Sequence, residues 1–484
     1  MLLLLCNDII ECVDDFTAGL YLKKLCRRLF GLLHLRHVWW TSGQLCDVAQ
    51  HSLVRTRTAS IDLQLTKTNW LCHIVKGCAN LVDLTLCLQT HWNDDVSPPV
   101  MQSRMNMLGN HLPLLPSLAD LRLHMESMEL NDAECVPLLR GIEKIPNLKH
   151  LGLHLRNNNL TAQLAPLLSC FSYVPSVDFD VSLNHVNDTM LRHLLHRDDK
   201  STKCIKIDMR QNRITNTSML LLRNTEPYRA LRELQLNLSN RTTEIRDKNA
   251  CITNRGILVF VHRVLKMAPQ LHTLTLTLEN QYIGLAGVQT LSYWLKGSHA
   301  AGLKNIGLYF LSNGIVGWCG FRTLVESLPP SVVRLKLGLQ DCALGDCTTR
   351  NELKFGRLKQ LRRLTLHLDN NKLAETGLRA VITGVKQLMS LRTLVISLTQ
   401  TNVSLRHNTT LAQLGMMPEL RHLLVDLRYN RAHVFGSLQL VAGFNCMCHR
   451  ATVTLNMRGN HWSEHGKRLI HAVAKSSRVC TVIT

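Results

Sequence analysis

Apolar residues alternate with polar ones in short segments that recur along the chain. In the segment 361–373, apolar residues stand at positions 1, 4, 6, 8 and 13, and an asparagine stands at position 11. The segment 148–160 has the same pattern, and the segment 420–430 begins in the same way. Alternation with a period of two predicts a strand with one buried face, because successive side chains of a strand point to opposite sides.

The last apolar residue of each predicted strand gives the spacing of the repeat. From Phe310 onward these residues follow one another at intervals of 29, 29, 30, 29 and 30. Intervals of this size predict a leucine-rich repeat with one strand and one full helix in each coil. The series is Leu88, Met125, Leu155, Val181, Met209, Leu238, Leu278, Phe310, Leu339, Leu368, Leu398, Leu427 and Met457.

The spacing of apolar residues becomes helical after each strand. Leu378, Val381 and Val385 are three or four residues apart, which predicts a helix with one buried stripe. The side-chain amide of Asn371 is expected to bond backbone groups of neighbouring coils, and Cys342 takes the same place one coil earlier. Glycines that recur early in the helices are expected where a helix approaches a strand closely. They are Gly256, Gly287, Gly320 and Gly377.

Two intervals are longer than the others and contain insertions. The insertions at 94–106 and 241–249 are rich in polar residues or prolines, and both are expected in surface loops. The last residues, 479–484, are predicted to add a final edge strand as a cap.

The repeat pattern resembles that of ribonuclease-inhibitor-like leucine-rich-repeat proteins over about residues 60–484. The resemblance implies an α/β solenoid: a right-handed horseshoe with a parallel sheet on its concave side and helices on its convex side. The predicted organisation is a short helical segment at 1–45, followed by a solenoid at 46–484 with a C-terminal cap.

The N-terminal segment does not fit the repeat. It is predicted to form short helices at 8–16, 20–25 and 27–35, either as a helical cap or as a divergent F-box, and both interpretations stay open. The acidic Asp8, the apolar residues after it, Cys26 and Trp39 resemble an F-box, although the usual Leu-Pro opening is absent. The resemblance implies contacts with a ubiquitin-ligase adaptor. The residues that would make them are Ile9, Ile10, Val13, Phe16, Leu25 and Leu29.

Composition narrows the classes of partner and compartment. The net charge of +21 over 484 residues predicts attraction to RNA, acidic protein surfaces or anionic lipid. The 17 cysteines are spread without a tight framework, which favours a reduced intracellular protein, cytoplasmic or nuclear. Apolar runs of about 20 residues are missing, so no membrane span is expected.

Motifs that would indicate catalysis are absent from the sequence. It has no P-loop, no nucleophile elbow and no H-E-x-x-H motif. We therefore expect no enzyme activity, no cofactor and no metal site. Cys446, Cys448 and His449 form the best metal-ligand group, but no second pair follows at suitable spacing. Histidines on the strands, such as His154 and His367, are expected to be solvated.

The outward side chains of the strands are the predicted binding surface. Acidic and basic residues nearly balance there, which favours a protein ligand over an RNA along this face. The expected function is a non-catalytic interaction scaffold, in its most specific form an F-box-type substrate receptor of a ubiquitin ligase. The alternative is a basic structural subunit of a large assembly such as a ribonucleoprotein, docked through the convex side. The predicted partner-binding residues are Arg122, His154, Arg156, Arg210, Tyr309, Lys336, His367, Asp369, Asp426 and Arg428.

Overall fold

The structure is a computed structural model, and the chain divides into two compact units. Unit 1 is Met1–Arg213 and unit 2 is Ile214–Thr484. In both units a short strand alternates with a helical connection. Each unit is an α/β leucine-rich-repeat solenoid, as the sequence predicts. The structure describes residues 37–41, 57–64, 78, 80–89, 98–197, 201–222, 227–240, 248–313, 316–345, 353–405, 409–444, 447, 451–476 and 480–484.

Unit 1 contains a parallel sheet in which each strand pairs with the next one in the chain. Its strands are β1 (His37–Thr41), β2 (Thr58–Gln64), β3 (Asp83–Gln89), β4 (Asp120–His124), β5 (His150–His154), β6 (Ser176–Asp180) and β7 (Cys204–Asp208). Its helices are α1 (Pro98–His111), α2 (Asp132–Ile142), α3 (Ala165–Ser169) and α4 (Asp188–Leu195).

Unit 2 repeats this arrangement with parallel pairs between consecutive strands. Its strands are β8 (Glu233–Asn237), β9 (Thr273–Thr277), β10 (Asn305–Tyr309), β11 (Arg334–Gly338), β12 (Arg363–His367), β13 (Thr393–Ser397), β14 (His422–Asp426), β15 (Thr452–Asn456) and β16 (Cys480–Ile483). Its helices are α5 (Asn216–Leu221), α6 (Asn254–Arg263), α7 (Leu285–Lys296), α8 (Gly317–Ser327), α9 (Ala374–Val385), α10 (Thr409–Ala412), α11 (Val434–Phe444) and α12 (Glu464–Ser476).

The inward faces of the strands form the core with the buried sides of the helices. Leu364 and Leu366 of β12 are fully buried, as are Leu378 and Val381 of α9. Burying a leucine side chain contributes about 2 kcal/mol, so each coil gains stability mainly from the leucines that set the repeat. The final edge strand expected at the C-terminus is β16, which pairs with β15.

Buried asparagines join successive coils, as predicted. Asn158 Nδ2 donates to the Met125 carbonyl of the preceding coil at 2.8 Å, and its Oδ1 accepts from the Met128 and Leu130 amides at 3.0 Å each. Cys342 takes this place in its coil, where its thiol donates to the Phe310 carbonyl at 3.0 Å. Asparagines that donate to the preceding coil in the same way are Asn184, Asn212, Asn313, Asn371, Asn430 and Asn460.

Two expectations about local structure are wrong. The insertion at 94–106 was expected to be a loop, but residues from Pro98 onward begin α1. Gly256 and Gly287 do not face strands: a Cβ there would lie 2.5 Å from Asn216 Oδ1 and 2.7 Å from Asn254 Oδ1, respectively. Each of these asparagines is the first residue of the preceding helix, so the glycines allow one coil's helix to approach the next.

The predicted N-terminal helices lie outside the described residues. The strand β1 falls within the segment 1–45 and pairs in register with β2 from His37 to Thr41. The pairing of the solenoid strands therefore already includes residue 37. The insertion at 241–249 also lies outside the described residues, except for its last two residues in a short 3-10 helix at Lys248–Ala250.

Candidate interaction surface on the outward strand faces

Outward side chains form rows across each sheet. Because neighbouring strands pair without offset, equivalent residues of successive coils lie side by side, about 4.8 Å apart. The first, third and fifth residues of a typical strand face outward, and the second residue after the strand continues the same face. In β12 and after it, these residues are Arg363, Thr365, His367 and Asp369. The surface that a partner would contact on this face therefore consists of rows of residues, and the members of a row are about 30 positions apart in the sequence.

The predicted partner-binding residues all lie at outward strand positions or just after the strands. In unit 1 they are Arg122, His154, Arg156 and Arg210. In unit 2 they are Tyr309, Lys336, His367, Asp369, Asp426 and Arg428. The structure brings only some of them together, and their environments differ.

Several outward acidic residues are used by the fold itself. The Asp369 carboxylate accepts hydrogen bonds from the Thr399 amide at 2.8 Å and from the Ser397 hydroxyl of the next coil. Asp426 is buried, and it accepts from the amide and the guanidinium of Arg428 at 3.1 and 2.9 Å. Hydrogen bonds to this carboxylate, and its charge, raise the pKa of Arg428 above its ordinary value. A count of outward acidic residues therefore overestimates the negative charge that a partner meets on this face.

The outward face of β11 and β12 is basic. Arg334 and Arg363 are neighbours in the first row, and Lys336 lies in the third row of the same face. All three side chains are exposed, and among the described residues none of them forms an ion pair. This group keeps its positive charge available at the surface.

Apolar side chains lie beside this basic group. Val395 of β13 and Leu424 of β14 are neighbours in the third row, and 40% of Leu424 is exposed. We call Arg334, Lys336, Arg363, Val395 and Leu424 the basic–apolar patch. Val395 and Leu424 are not among the binding residues predicted from the sequence. The sequence does contain a signal for an exposed apolar residue at Leu424. Strict alternation would put a polar residue there, but the apolar run Leu423–Val425 is uninterrupted.

Unit 1 has a different arrangement in its fifth row. His124 of β4 and His154 of β5 are neighbours, and their rings stack with centroids 4.4 Å apart and planes 18° apart. His124 Nδ1 lies 3.2 Å from Glu126 Oε1. Burial raises the pKa of the Glu126 carboxyl, but hydrogen bonds from His124 and a backbone amide outweigh it and leave that pKa below its ordinary value.

His154 has a lowered pKa, first because burial penalises its charged form and then because His124 is close. The carboxylates of Asp178, Glu126 and Asp180 act in the opposite direction. The sequence pattern predicts His154 on the outward face, but it does not predict that His124 and Glu126 lie beside it. The metal-ligand group at Cys446, Cys448 and His449 lies outside the described residues.

The described residues also bear on two expectations from composition, the state of the cysteines and the membrane span. Free thiols occur at buried positions, where desolvation raises the pKa of Cys135 and Cys342 to about 12 and that of Cys78 to about 11. In the ranges that the structure describes, no helix combines the length and apolar character needed to cross a membrane.

Comparisons with known proteins give likenesses of fold only. No protein-family model matches the sequence, and no curated protein matches it. A chain in the crystal structure of the yeast Rad7–Elc1 complex is similar, with 13% identity and a TM-score of 0.44 over 89% of this chain and 85% of that one. An internalin, InlF of Listeria monocytogenes, is similar with 14% identity and a TM-score of 0.37, over 91% and 92% of the two chains. Likenesses of this size do not identify a family.

Proposed function

We propose that the chain is a non-catalytic interaction scaffold that binds a protein partner through the basic–apolar patch of unit 2. The observation that carries this proposal is the exposed Leu424, beside Val395 and on the same face as Lys336. The fold needs leucines on the inward side of a strand only. An outward leucine in the middle of a sheet contributes little to folding, but it supplies the apolar centre of an interface when a partner covers it.

The chemistry of the patch specifies the kind of partner. An apolar side chain of the partner would cover Val395 and Leu424, while carboxylates beside it would face Arg334, Lys336 and Arg363. Arginine is enriched at interface hot spots, and complementary charge mainly increases the association rate and the specificity. The partner is therefore a protein segment with apolar and acidic side chains in alternation or in close succession.

Affinity purification of the full-length chain from its native cells, with quantitative mass spectrometry, tests this proposal. The variants Leu424→Ser and Lys336→Glu change the patch without touching the core. Leu258→Ser is the matched control, because Leu258 is a similarly exposed leucine of unit 2 that lies on α6. We expect the same proteins with the wild type and the control, and a loss of at least about tenfold, which is 1.4 kcal/mol, with both patch variants. Equal recovery with all four chains contradicts the proposal.

In a more specific form of this function, residues 1–45 bind an adaptor of a ubiquitin ligase and the chain is its substrate receptor. The F-box resemblance at 8–39 supports it, with the apolar residues Ile9, Val13 and Phe16 at its centre. Full helices such as α9 and α12, of 12 and 13 residues, support the ribonuclease-inhibitor-like type of repeat. In binding assays with purified adaptor, Val13→Asp and Phe16→Asp should abolish binding by the full-length chain. Adaptor binding that survives both changes would reduce the segment to a cap.

RNA is the competing class of partner. The net charge of +21 favours it, and binding to phosphates weakens steeply as salt concentration rises. The same purification at low and high salt separates the two classes. RNA that is recovered at low salt and lost at high salt, with no protein that depends on Leu424, would favour the basic structural subunit of a ribonucleoprotein.

A further inference from the structure

Three ligand-type side chains meet on the outward face of unit 1, far along the chain from the basic–apolar patch. His124, Glu126 and His154 each offer one nitrogen or oxygen atom, and these atoms all lie within 4.8 Å of one another. Two imidazoles and a carboxylate form a donor set that suits zinc and similar divalent transition metals. Calcium and magnesium prefer oxygen donors alone.

The backbone holds this group in place through the repeat. His124 and His154 are paired in register in β4 and β5, and the Met125 amide donates to the His154 carbonyl at 2.8 Å. Glu126 comes two residues after His124, so its side chain lies on the same face. Because the sheet fixes both strands, the backbones of the two histidines are positioned before any ion arrives.

We propose that His124, Glu126 and His154 form a binding site for a divalent transition-metal ion, with zinc as the physiological candidate. Zinc–nitrogen bonds of about 2.0–2.1 Å place tetrahedral ligand atoms about 3.4 Å apart. The three ligand atoms lie within 4.8 Å of one another, so the side chains must move them closer by up to about 1.4 Å to share one ion. Three protein ligands leave a coordination position open on the exposed side for water or for a side chain of a partner.

The electrostatic surroundings favour a cation at this point. Asp180 lies in register with His154 in β6, and Asp178 lies on the same strand. Asp180 Oδ1 accepts from the Ser182 amide at 2.9 Å, which orients the carboxylate as a neighbour of the site. With Glu126, three carboxylates surround the two imidazoles. A bound cation would offset part of this negative charge.

Nearby basic groups do not occupy the site. Arg122 pairs with Asp120 at 2.9 Å and with Asp83 at 3.8 Å, on the strands away from His154. Arg156 follows β5 and is exposed.

Cobalt(II) titration of the metal-free full-length chain tests the site, followed by competition with Zn²⁺. Cobalt bound by nitrogen and oxygen gives visible d–d bands, whereas bound thiolates add an intense ultraviolet charge-transfer band. This difference separates the site from cysteines elsewhere in the chain. We expect one ion whose d–d bands appear without the thiolate band and disappear when Zn²⁺ is added.

Three variants and a control decide the assignment. His154→Ala, His124→Ala and Glu126→Gln should each weaken binding by at least about tenfold, a loss that removal of an outer-shell partner alone already produces. His367→Ala is the control, because His367 has the same strand position in β12 but has Gly338 and Ser397 as its row neighbours. Glu126→Gln keeps the shape of the side chain, so it remains informative if an alanine variant unfolds. Equal affinity of all variants, binding that shows only the thiolate band, or no binding by the wild type overturns the proposal.

Discussion

Asn371 Nδ2 donates a hydrogen bond to the Leu339 carbonyl of the preceding coil at 2.7 Å. The same group donates to the Leu368 carbonyl of its own coil at 2.9 Å, and Oδ1 accepts from the Cys342 and Leu344 amides at 3.1 and 3.0 Å. Nδ2 also donates to the Asp369 carbonyl at 3.1 Å, so one buried side chain bonds five backbone groups in two coils. A chain of such residues links neighbouring coils in the way that hydrogen bonds link neighbouring strands.

Replacing Asn371 by alanine should strongly destabilise unit 2. The change leaves two buried amides and a buried carbonyl of the preceding coil without their partner, and each such group costs about 1–3 kcal/mol. We expect a loss of roughly 3 kcal/mol or more in the free energy of unfolding, measured by urea denaturation. Lys372→Ala, at the adjacent exposed position, should change this free energy by less than about 0.5 kcal/mol. Similar effects of the two changes would contradict the role of the ladder.

Gly141→Ala should destabilise unit 1 through the contact between α1 and α2. A Cβ at Gly141 would lie 2.1 Å from the Gly109 carbonyl oxygen and 2.3 Å from its Cα. Both neighbouring atoms belong to backbone, so the helices must separate, at a cost of about 1–3 kcal/mol. Thermal unfolding provides the measurement. Gly302→Ala is the control, because its Cβ would meet only the Leu271 carbonyl oxygen at 3.5 Å; a fall in its Tm equal to that of Gly141→Ala would argue against helix contact as the cause.

The neighbours Leu423 and Leu424 should respond in opposite ways to truncation. Leu423 is buried beneath the sheet and Leu424 is 40% exposed on the outward face. Leu423→Ala should cost about 2–5 kcal/mol of stability, because it leaves a cavity in the core. Leu424→Ala should cost less than about 1 kcal/mol and act on partner binding instead. A large loss of stability at Leu424 would show that the fold, not a partner, requires this side chain.

Stability should fall when the pH is lowered through the range in which His150 titrates. Burial and then the charge of Arg122 lower the pKa of His150 from its ordinary value of 6.5. The unfolded chain therefore binds this proton more readily than the folded one, so stability is fully present above about pH 6.5 and decreases below it. His150→Gln should reduce the slope of unfolding free energy against pH between about pH 7 and pH 5.

His422→Gln is the matched comparison for the pH experiment. His422 takes the same strand position, and its Nδ1 contacts the Thr452 hydroxyl at 2.8 Å, as His150 Nδ1 contacts the Ser176 hydroxyl at 2.9 Å. His422 is exposed, however, whereas His150 is partly buried. The difference between the two slopes measures what burial adds at His150, and identical slopes would rule that contribution out.

The coil and its repetition follow from the amino-acid sequence alone. Leucines at alternate positions, an asparagine at the turn and a helical stripe are all separated by a few residues, so local geometry relates them to one another. The strand β12, the helix α9 and the bonding role of Asn371 could be predicted on this basis. The wrong assignment of 94–106 as a loop shows the limit: a helix begins there at Pro98, although the insertion interrupts the repeat.

The contacts between outward side chains of different coils depend on the folded chain. His124 and His154 are equivalent residues 30 positions apart in the sequence. The next two coils are shorter: from His154 to Asp180 is 26 positions and from Asp180 to Asp208 is 28. Equivalent positions become neighbours only after each coil closes and pairs with the next in register. The stacked histidines with Glu126 follow from that pairing. So does the placement of Leu424 beside Val395, on the same face as the basic side chains of β11 and β12. The repeat pattern specifies the residues that face the core, but it does not specify most of the outward residues, because their side chains lie outside the core.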